Sequence, residues 1–413
     1  MFVIQLYYKD TDLYLLLILS QHFTVERELK NIHARDLLKL IPEDQFASII
    51  KDTNVDFQVK KLFGRTMFFL LLYGLLDSKR SSLRTLEQSF KTNKFKVLFK
   101  IDPLQQIKYN SLSDRLSTMN VDFFKEVCEM VYEVLSIQYN ETDRLSYNIV
   151  RVDSTMVAEA ANKLMEGMII GNQTGKKSKQ VKYTFSMTNL FPSSAEIFTS
   201  QRGLNEGITI PQVIKNYIDK RDNNVFVFDR GVKSRKVFNE LDQDLWFVTR
   251  INPGALYEII KPYELAEDTV IGNLTIKKDE LVVLYDKRHN KSNEFRLIQT
   301  ENNKGKVLWF ITNLLDEKIE AIIEIYRKRW DIEVFFRFIK QELNFKHIFS
   351  TKINGLQIML YMTMIVAMLI LVYKKANNLG YKMATFQLFY QLDDIYGEML
   401  VERLGGDPNL VFR

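Results

Sequence analysis

Residues 225–229 read VFVFD, four consecutive apolar β-formers closed by an aspartate. A strand apolar on both faces is buried on both, which is the mark of a parallel sheet covered by helices. The surrounding sequence keeps that rhythm. YNIVRVD (147–153) is a second β-rich run closed by an aspartate, KQVKYTFSM (179–187) alternates like a strand, and EIFTS (196–200) predicts another. TIPQVIKNYIDK (209–220), with Pro211 near its first turn, and SRKVFNEL (234–241) predict helices, and DLWFVTR (244–250) a further strand. Strands alternating with helices predict an α/β sheet. From 251 to about 305 the rhythm breaks. TVIGNLTIKKDELVVLYDKRHN and NEFRLIQTE predict antiparallel strands with turns at Gly272-Asn273 and Lys277–Asp279, read as an insertion. KVLWFITN (306–313) rejoins the main sheet or extends that insertion.

Residues 1–140 are mostly helical in pattern. FGRTMFFLLLYGLL (63–76), SLRTLEQSF (82–90), SLSDRLSTM (111–119) and VDFFKEVCEMVYEVL (121–135) carry helical spacing with polar residues at the caps. Arg84 and Arg115, with Lys79 and Arg80 nearby, suit a bundle that docks on DNA or a scaffold with a basic rim. Residues 351–413 form a C-terminal helical region. Within it Ile358 to Tyr373 is uncharged for 16 residues, slightly short of the roughly 17–25 a bilayer needs, and is expected in the core. LYLLLIL (13–19) is shorter still and lacks a basic leader, so neither a span nor a signal peptide is expected. The single Cys128 excludes an internal disulfide framework, and four scattered histidines exclude a structural zinc site; both suit a reducing cytoplasm. A net charge of +6 is compatible with a polyanionic partner.

The stretch IYRKRWDIEVFFRFIKQELNF predicts one helix with Tyr326, Arg329, Glu333 and Lys340 on a single face and Ile332, Phe335, Phe338 and Ile339 opposite. Arg337 lies on the polar face, at about 20° on the same wheel. A carboxylate flanked by cations becomes informative beside two aspartates at strand ends. Asp153, Asp229 and Glu333 would repel one another unless cations sat between them. Mg²⁺ suits such a set, since it accepts a few carboxylates together with phosphate and water. Two such ions about 4 Å apart can activate a water and stabilise the leaving oxygen of a phosphodiester.

These residues carry a resemblance. VDST (152–155), FDRG (228–231) and the Tyr-x-x-Arg-x-x-x-Glu-x-x-x-x-x-x-Lys helix resemble the DDE transposases of bacterial insertion sequences, and the helix signature resembles insertion-sequence family four. The resemblance runs from about 147 to 345, with 76 residues between Asp153 and Asp229 and 104 between Asp229 and Glu333. It implies a ribonuclease-H-like core over 145–250 and 306–350, with 251–305 as an inserted β subdomain. It implies Asp153, Asp229 and Glu333 as the triad for two Mg²⁺ ions, with Mn²⁺ able to substitute. Tyr326, Arg329 and Lys340 would hold DNA phosphates. FDRG is often followed by an aromatic in that family; here Val232 follows.

The implied activity is cut-and-paste transposition: hydrolysis at the element ends, then strand transfer into target DNA. The implied partners are double-stranded DNA, as terminal inverted repeats and as target, and a second copy of the chain on DNA; a bacterial cytoplasm and nucleoid follow. Rival readings are a catalytically silent DNA-binding derivative, a structure-selective nuclease without strand transfer, and a membrane protein built around 358–373. KKSKQVK (176–182) places four lysines in seven residues, of which Lys182 is expected to face the site and DNA. GNQTGKK (171–177) fails the spacing of a phosphate-binding loop, so no nucleotide cofactor is expected. Trp246 and Trp330 could stack on a displaced base, with buried packing the simpler expectation for both and Trp330 the better candidate.

Overall fold

The computed structural model describes residues 31–77, 82–138, 147–158, 164–171, 177–217, 223–266, 269–287, 289–347 and 349–411. The apolar run 13–19, Lys79, Arg80 and most of GNQTGKK lie outside the described residues.

At the centre is an eleven-stranded mixed sheet. Its strands are β1 (Asn148–Ala158), β2 (Met168–Gly171), β3 (Lys177–Thr188), β4 (Phe191–Phe198), β5 (Asn224–Phe228), β6 (Trp246–Ile251), β7 (Leu256–Pro262), β8 (Val270–Ile271), β9 (Leu274–Tyr285), β10 (Lys291–Asn302) and β11 (Val307–Thr312). They run in the order β2-β3-β1-β5-β6-β11-β10-β9-β7, with β4 paired to β3 and β8 to β9. Only the β1–β5 and β5–β6 pairs among these are parallel. The wholly apolar β5 therefore lies inside the sheet, and every one of its residues is buried. Successive side chains face opposite ways. Val225 and Val227 join one core with Ile149, Val248, Ile322 and Ile325, while Phe226 and Phe228 join another with Val150, Val152, Phe238 and Phe247.

Several sequence expectations need correction. β1 does not stop at Asp153. It leaves β5 after Arg151 but stays paired with β3 through Ala158, so the aspartate lies within the strand. β4 covers 191–198 instead of 196–200. The helix expected from 209 begins at Glu206, so Pro211 lies inside it. Gly272-Asn273 does turn, with Gly272 at φ +63°, the left-handed region that glycine enters without cost. Lys277–Asp279 does not turn: β9 continues through it, with a register shift opposite Gln299/Thr300. The stretch 251–305 supplies β7 to β10 of the same sheet. β11 joins β6 to β10, and Val282, Leu284, Phe295 and Leu297 share a core with Phe228 and Phe247.

Helices cover the sheet. The N-terminal set is α1 (Ala34–Lys39), α2 (Glu43–Asp52), α3 (Gly64–Leu76), α4 (Leu83–Lys91), α5 (Asn93–Leu98), α6 (Tyr109–Thr118) and α7 (Val121–Gln138). Ser82 caps α4 through Thr85, a reciprocal pair that satisfies end groups the helix cannot. Between strands come α8 (Glu206–Lys215) and α9 (Arg235–Asp242), followed after β11 by α10 (Ile319–Arg327), α11 (Trp330–Glu342), α12 (Ile353–Ala376) and α13 (Tyr381–Arg403). Among the described residues α12 is the helix long and apolar enough to cross a membrane, and 83% of its most apolar window is buried. It packs against α3, α6, α7, α13 and β4, so an apolar surface all round is matched by protein on all sides. The C-terminal helices thus complete the bundle begun by α1–α7.

Candidate active site

Parallel register brings the first charges together. Arg151 pairs with Val227, so Asp153 and Asp229, each two residues further on, stand level at the same sheet edge. Phe228 pairs with Thr249, which sets Arg250 level with Asp229. Alternation puts all three on the face of Ile149, Val227 and Val248, the face covered by α10.

The predicted long helix is broken into α10 and α11 by a step at Lys328–Arg329. Both residues stay in the right-handed helical region. However, Arg329, Asp331 and Ile332 bond three residues back, to Tyr326, Lys328 and Arg329, in a tightened turn. The cause is visible in Arg151, only 2% exposed. Its guanidinium donates to the Lys328 carbonyl at 3.2 Å, to Asp331 at 3.0 Å and to the carbonyls of Ile149 and Asn189. A side chain inserted at a helix junction is a recognised source of a kink. Beneath α11, Phe335 and Phe336 pack edge-on against Phe185 of β3, which fixes the depth of Glu333.

At this step Arg329 donates to Asp153 at 3.3 Å and forms an ion pair with Glu333. Arg250 donates to Asp229 at 2.8 Å, and the Tyr326 hydroxyl reaches the same oxygen at 3.4 Å. The guanidinium groups of Arg250 and Arg329 lie 5.5 and 5.9 Å from the Tyr326 ring. The three acids therefore gather around cations instead of each other. Among the described residues no three acids, histidines or cysteines stand close enough to hold a metal ion. The donor chemistry nonetheless fits one: all three are carboxylates, suited to a hard divalent ion, and an internal cation already bridges two of them. The Nε atoms of Arg250 and Arg329 are both buried with no hydrogen-bond partner. Orphaned buried donors are costly.

The environments of the two aspartates diverge. Burial pushes Asp153 up to about 6, with Glu206 and Asp229 adding to it against the Ser154 N–H and Arg329. Burial would also raise Asp229, but Arg250 and the Arg230 N–H outweigh it and hold Asp229 below the usual carboxylate range. Burial also pushes the Tyr326 hydroxyl up to about 12. Burial opposes the charge on Arg329, but Tyr326, Glu333 and Asp153 more than compensate and raise its pKa.

Asp153, Asp229, Tyr326, Arg329 and Glu333 are thus brought together. Lys340 is half-buried one side along α11; burial and Lys346 lower its pKa, and Asp153 opposes them. Arg337 stands exposed on the same helix. Lys182 is 4% exposed, and its ammonium donates to the Leu204 carbonyl at 3.4 Å. Trp330 is 54% exposed and Trp246 41%, which corrects the expectation of buried packing for both. Val232 is buried in the core, so nothing stacks from that position. Arg250, Arg151 and Glu206 were not anticipated. A charge near the end of a buried parallel strand was the available signal for Arg250; the other two gave none.

Comparison with known proteins comes to the same region. The family model described as "Transposase DDE domain" matches residues 145–369. The chain is 23% identical over 268 residues to "Probable transposase for insertion sequence element IS5377" of Geobacillus stearothermophilus, covering 65% of this chain and 67% of that one. It is 33% identical over 153 residues to "Putative transposase for insertion sequence element IS4SA" of Synechocystis sp., covering 36% of this chain and 41% of that one.

Proposed function

The chain belongs to the transposase DDE domain family, matched over more than half its length, and on that footing we propose that it cuts and joins DNA as an insertion-sequence transposase of the Tyr-Arg-Glu-Lys type. The observation that carries this reading is the Arg329 guanidinium shared by Asp153 and Glu333, with Arg250 on Asp229 and both Nε atoms orphaned. Such a centre would set acids suited to metal beside cations suited to phosphate. Asp153, Asp229 and Glu333 would hold Mg²⁺, or Mn²⁺ in its stead, in the two-ion arrangement. Bound there, the metal would supply Lewis-acid charge to a phosphodiester oxygen and to the attacking water.

The chain's own residues do the rest. Arg329 and Arg250 exchange carboxylate for phosphate, using planar forks suited to bidentate grip. Tyr326 holds both guanidinium planes in place. Lys340, about 10 Å beyond Glu333 along α11, reaches a phosphate other than the one cut. Arg337 and Trp330 are exposed along the same helix, placed to meet backbone and an unstacked base. In the first step water attacks phosphorus and the bond to O3′ breaks, leaving a 3′-hydroxyl at the element end. In the second, that hydroxyl attacks a target phosphodiester and loses its proton as the target strand breaks. Two element ends must be held together, so a homodimer on DNA in a bacterial nucleoid is the working assembly. A ribonuclease-H-like core fits the parallel β1–β5–β6 centre.

The test combines purified protein, Mg²⁺ and a duplex carrying the element's terminal inverted repeats. The parent nicks at the repeat end and yields joined target products; Asp153→Asn and Glu333→Gln do neither. Cleavage by either variant at the parent's rate would refute the assignment.

A further inference from the structure

The sheet edge that carries Asp153 and Asp229 has a flank on each face, and the second flank holds cations that no step above uses. α10 packs over Ile149 and α11 over Phe185, which stands opposite Asp153. α9 packs on the other face, with Phe238 and Leu241 in the core of Phe226, Phe228 and Phe247. The turn from Asp229 into α9 reads DRGVKSRK. Arg230, Lys233 and Lys236 are exposed along it. Among the described residues neither Arg230 nor Lys233 pairs with an acid, and Lys236 stands 4.0 Å from Glu240. The turn itself is anchored. Val232 is buried, and Arg235 donates to the carbonyls of Lys233 at 3.0 Å and Tyr285 at 3.5 Å. Tyr285 ends β9, so the exposed Lys287 just beyond it adjoins the same surface. Asp286 beside it is engaged by the Asn290 amide at 2.8 Å. Charge order on α9 runs against the helix dipole: Arg235 and Lys236 open the helix, Glu240 and Asp242 close it. Helix stability disfavours that order. Exposed cations with few acids among them form a surface complementary to a polyanion.

We propose that the strip of Arg230, Lys233 and Lys236, continued by Lys287, is the track for target DNA, held on the opposite side of the catalytic edge from the element end. The inference rests on the functional reading above and assigns its second DNA. In the joining step two duplexes meet at one centre, so one flank cannot hold both. α11, with Arg337, Lys340 and Trp330, takes the element end; the α9 flank is left to the target. Lysines grip phosphate as point charges and read no bases. The strip therefore holds a duplex without selecting its sequence.

The experiment uses the full chain with Lys233→Gln and Lys236→Gln combined, an element-end duplex, a plain target duplex without the repeats, and Mg²⁺. Nicking and joining are read separately. Binding of the plain duplex is read in chelator, by fluorescence anisotropy across a salt series. At subsaturating target the double variant should lose joining roughly tenfold while nicking falls far less, and added target should restore joining. Its slope of log affinity against log salt for the plain duplex should fall by about two. Both lysines are exposed, so melting should stay at the parental value. Lys233→Arg with Lys236→Arg keeps both charges and should join as the parent does. Arg337→Gln, on the α11 flank, should instead lower nicking and joining together. Equal losses of nicking and joining in the lysine variant would overturn the proposal. So would an unchanged salt slope, or a joining defect that added target does not relieve. A parent that neither nicks nor joins would overturn the reading of the site and the target role with it. A parent that does both while the double variant matches it would overturn the inference alone.

Discussion

Two aspartates at one sheet edge hold their protons differently, and the difference is measurable. Asp153 is raised to about 6 chiefly by burial, from an ordinary value near 4. A carboxyl whose pKa rises on folding binds its proton more tightly in the native state, so stability falls as pH rises from about 4 to about 6 and stays reduced above. Without metal, Asp153→Asn should therefore melt higher than the parent at pH 7.5, by up to about 3 kcal/mol, with the gap closing toward pH 4. Melting curves in chelator across that range check it; a gap independent of pH would mean that burial does not govern Asp153. Arg329 has the opposite character. It neutralises Asp153 and Glu333 in the free protein, and it is assigned a phosphate in the complex. Arg329→Ala should lose stability and should also reduce the slope of log affinity against log salt by about one. Arg329→Lys should rescue little, since a compact ammonium lacks the planar fork that grips carboxylate and phosphate bidentately.

Whether those side chains meet depends on how strands and helices are set. β5 was legible because four apolar residues in a row admit one placement, and Asp229 followed from it. Asp153 was expected at the end of its strand, and that end was misjudged: the sequence cannot reveal that β1 changes partners there, leaving β5 while staying on β3. The break between α10 and α11 was not legible at all. No glycine or proline marks it, and its cause is Arg151, roughly 180 residues upstream. Arg151→Met should cost about 2–4 kcal/mol, because the buried carbonyls it satisfies lose their donor. It should also abolish nicking more completely than DNA binding, since Glu333 is displaced while Lys340 and Arg337 remain on a helix. Urea unfolding and a gel-shift assay separate these effects; nicking at the parental rate would show that Arg151 does not set the junction.

At the scale of the molecule, the helices of both termini form one layer around α12, an arrangement that chain order conceals. The apolar run 358–373 was correctly expected in a core, but its role as the axis joining α3, α6, α7 and α13 could not be read from pattern alone. Val366 is fully buried there. Val366→Asp should cost several kcal/mol, the price of an unpaired buried carboxylate, and should leave the protein aggregated, whereas the parent should purify without detergent. A parent recovered only in membranes would contradict the packing. The whole account depends on three acids sharing divalent ions once Arg329 and Arg250 let go of them. The direct measurement is anomalous scattering from Mn²⁺ in crystals of the protein bound to an element-end duplex. The account predicts metal peaks between Asp153, Asp229 and Glu333, with both guanidinium groups moved onto phosphates. Arginines still clasping the acids, with manganese bound elsewhere, would contradict it.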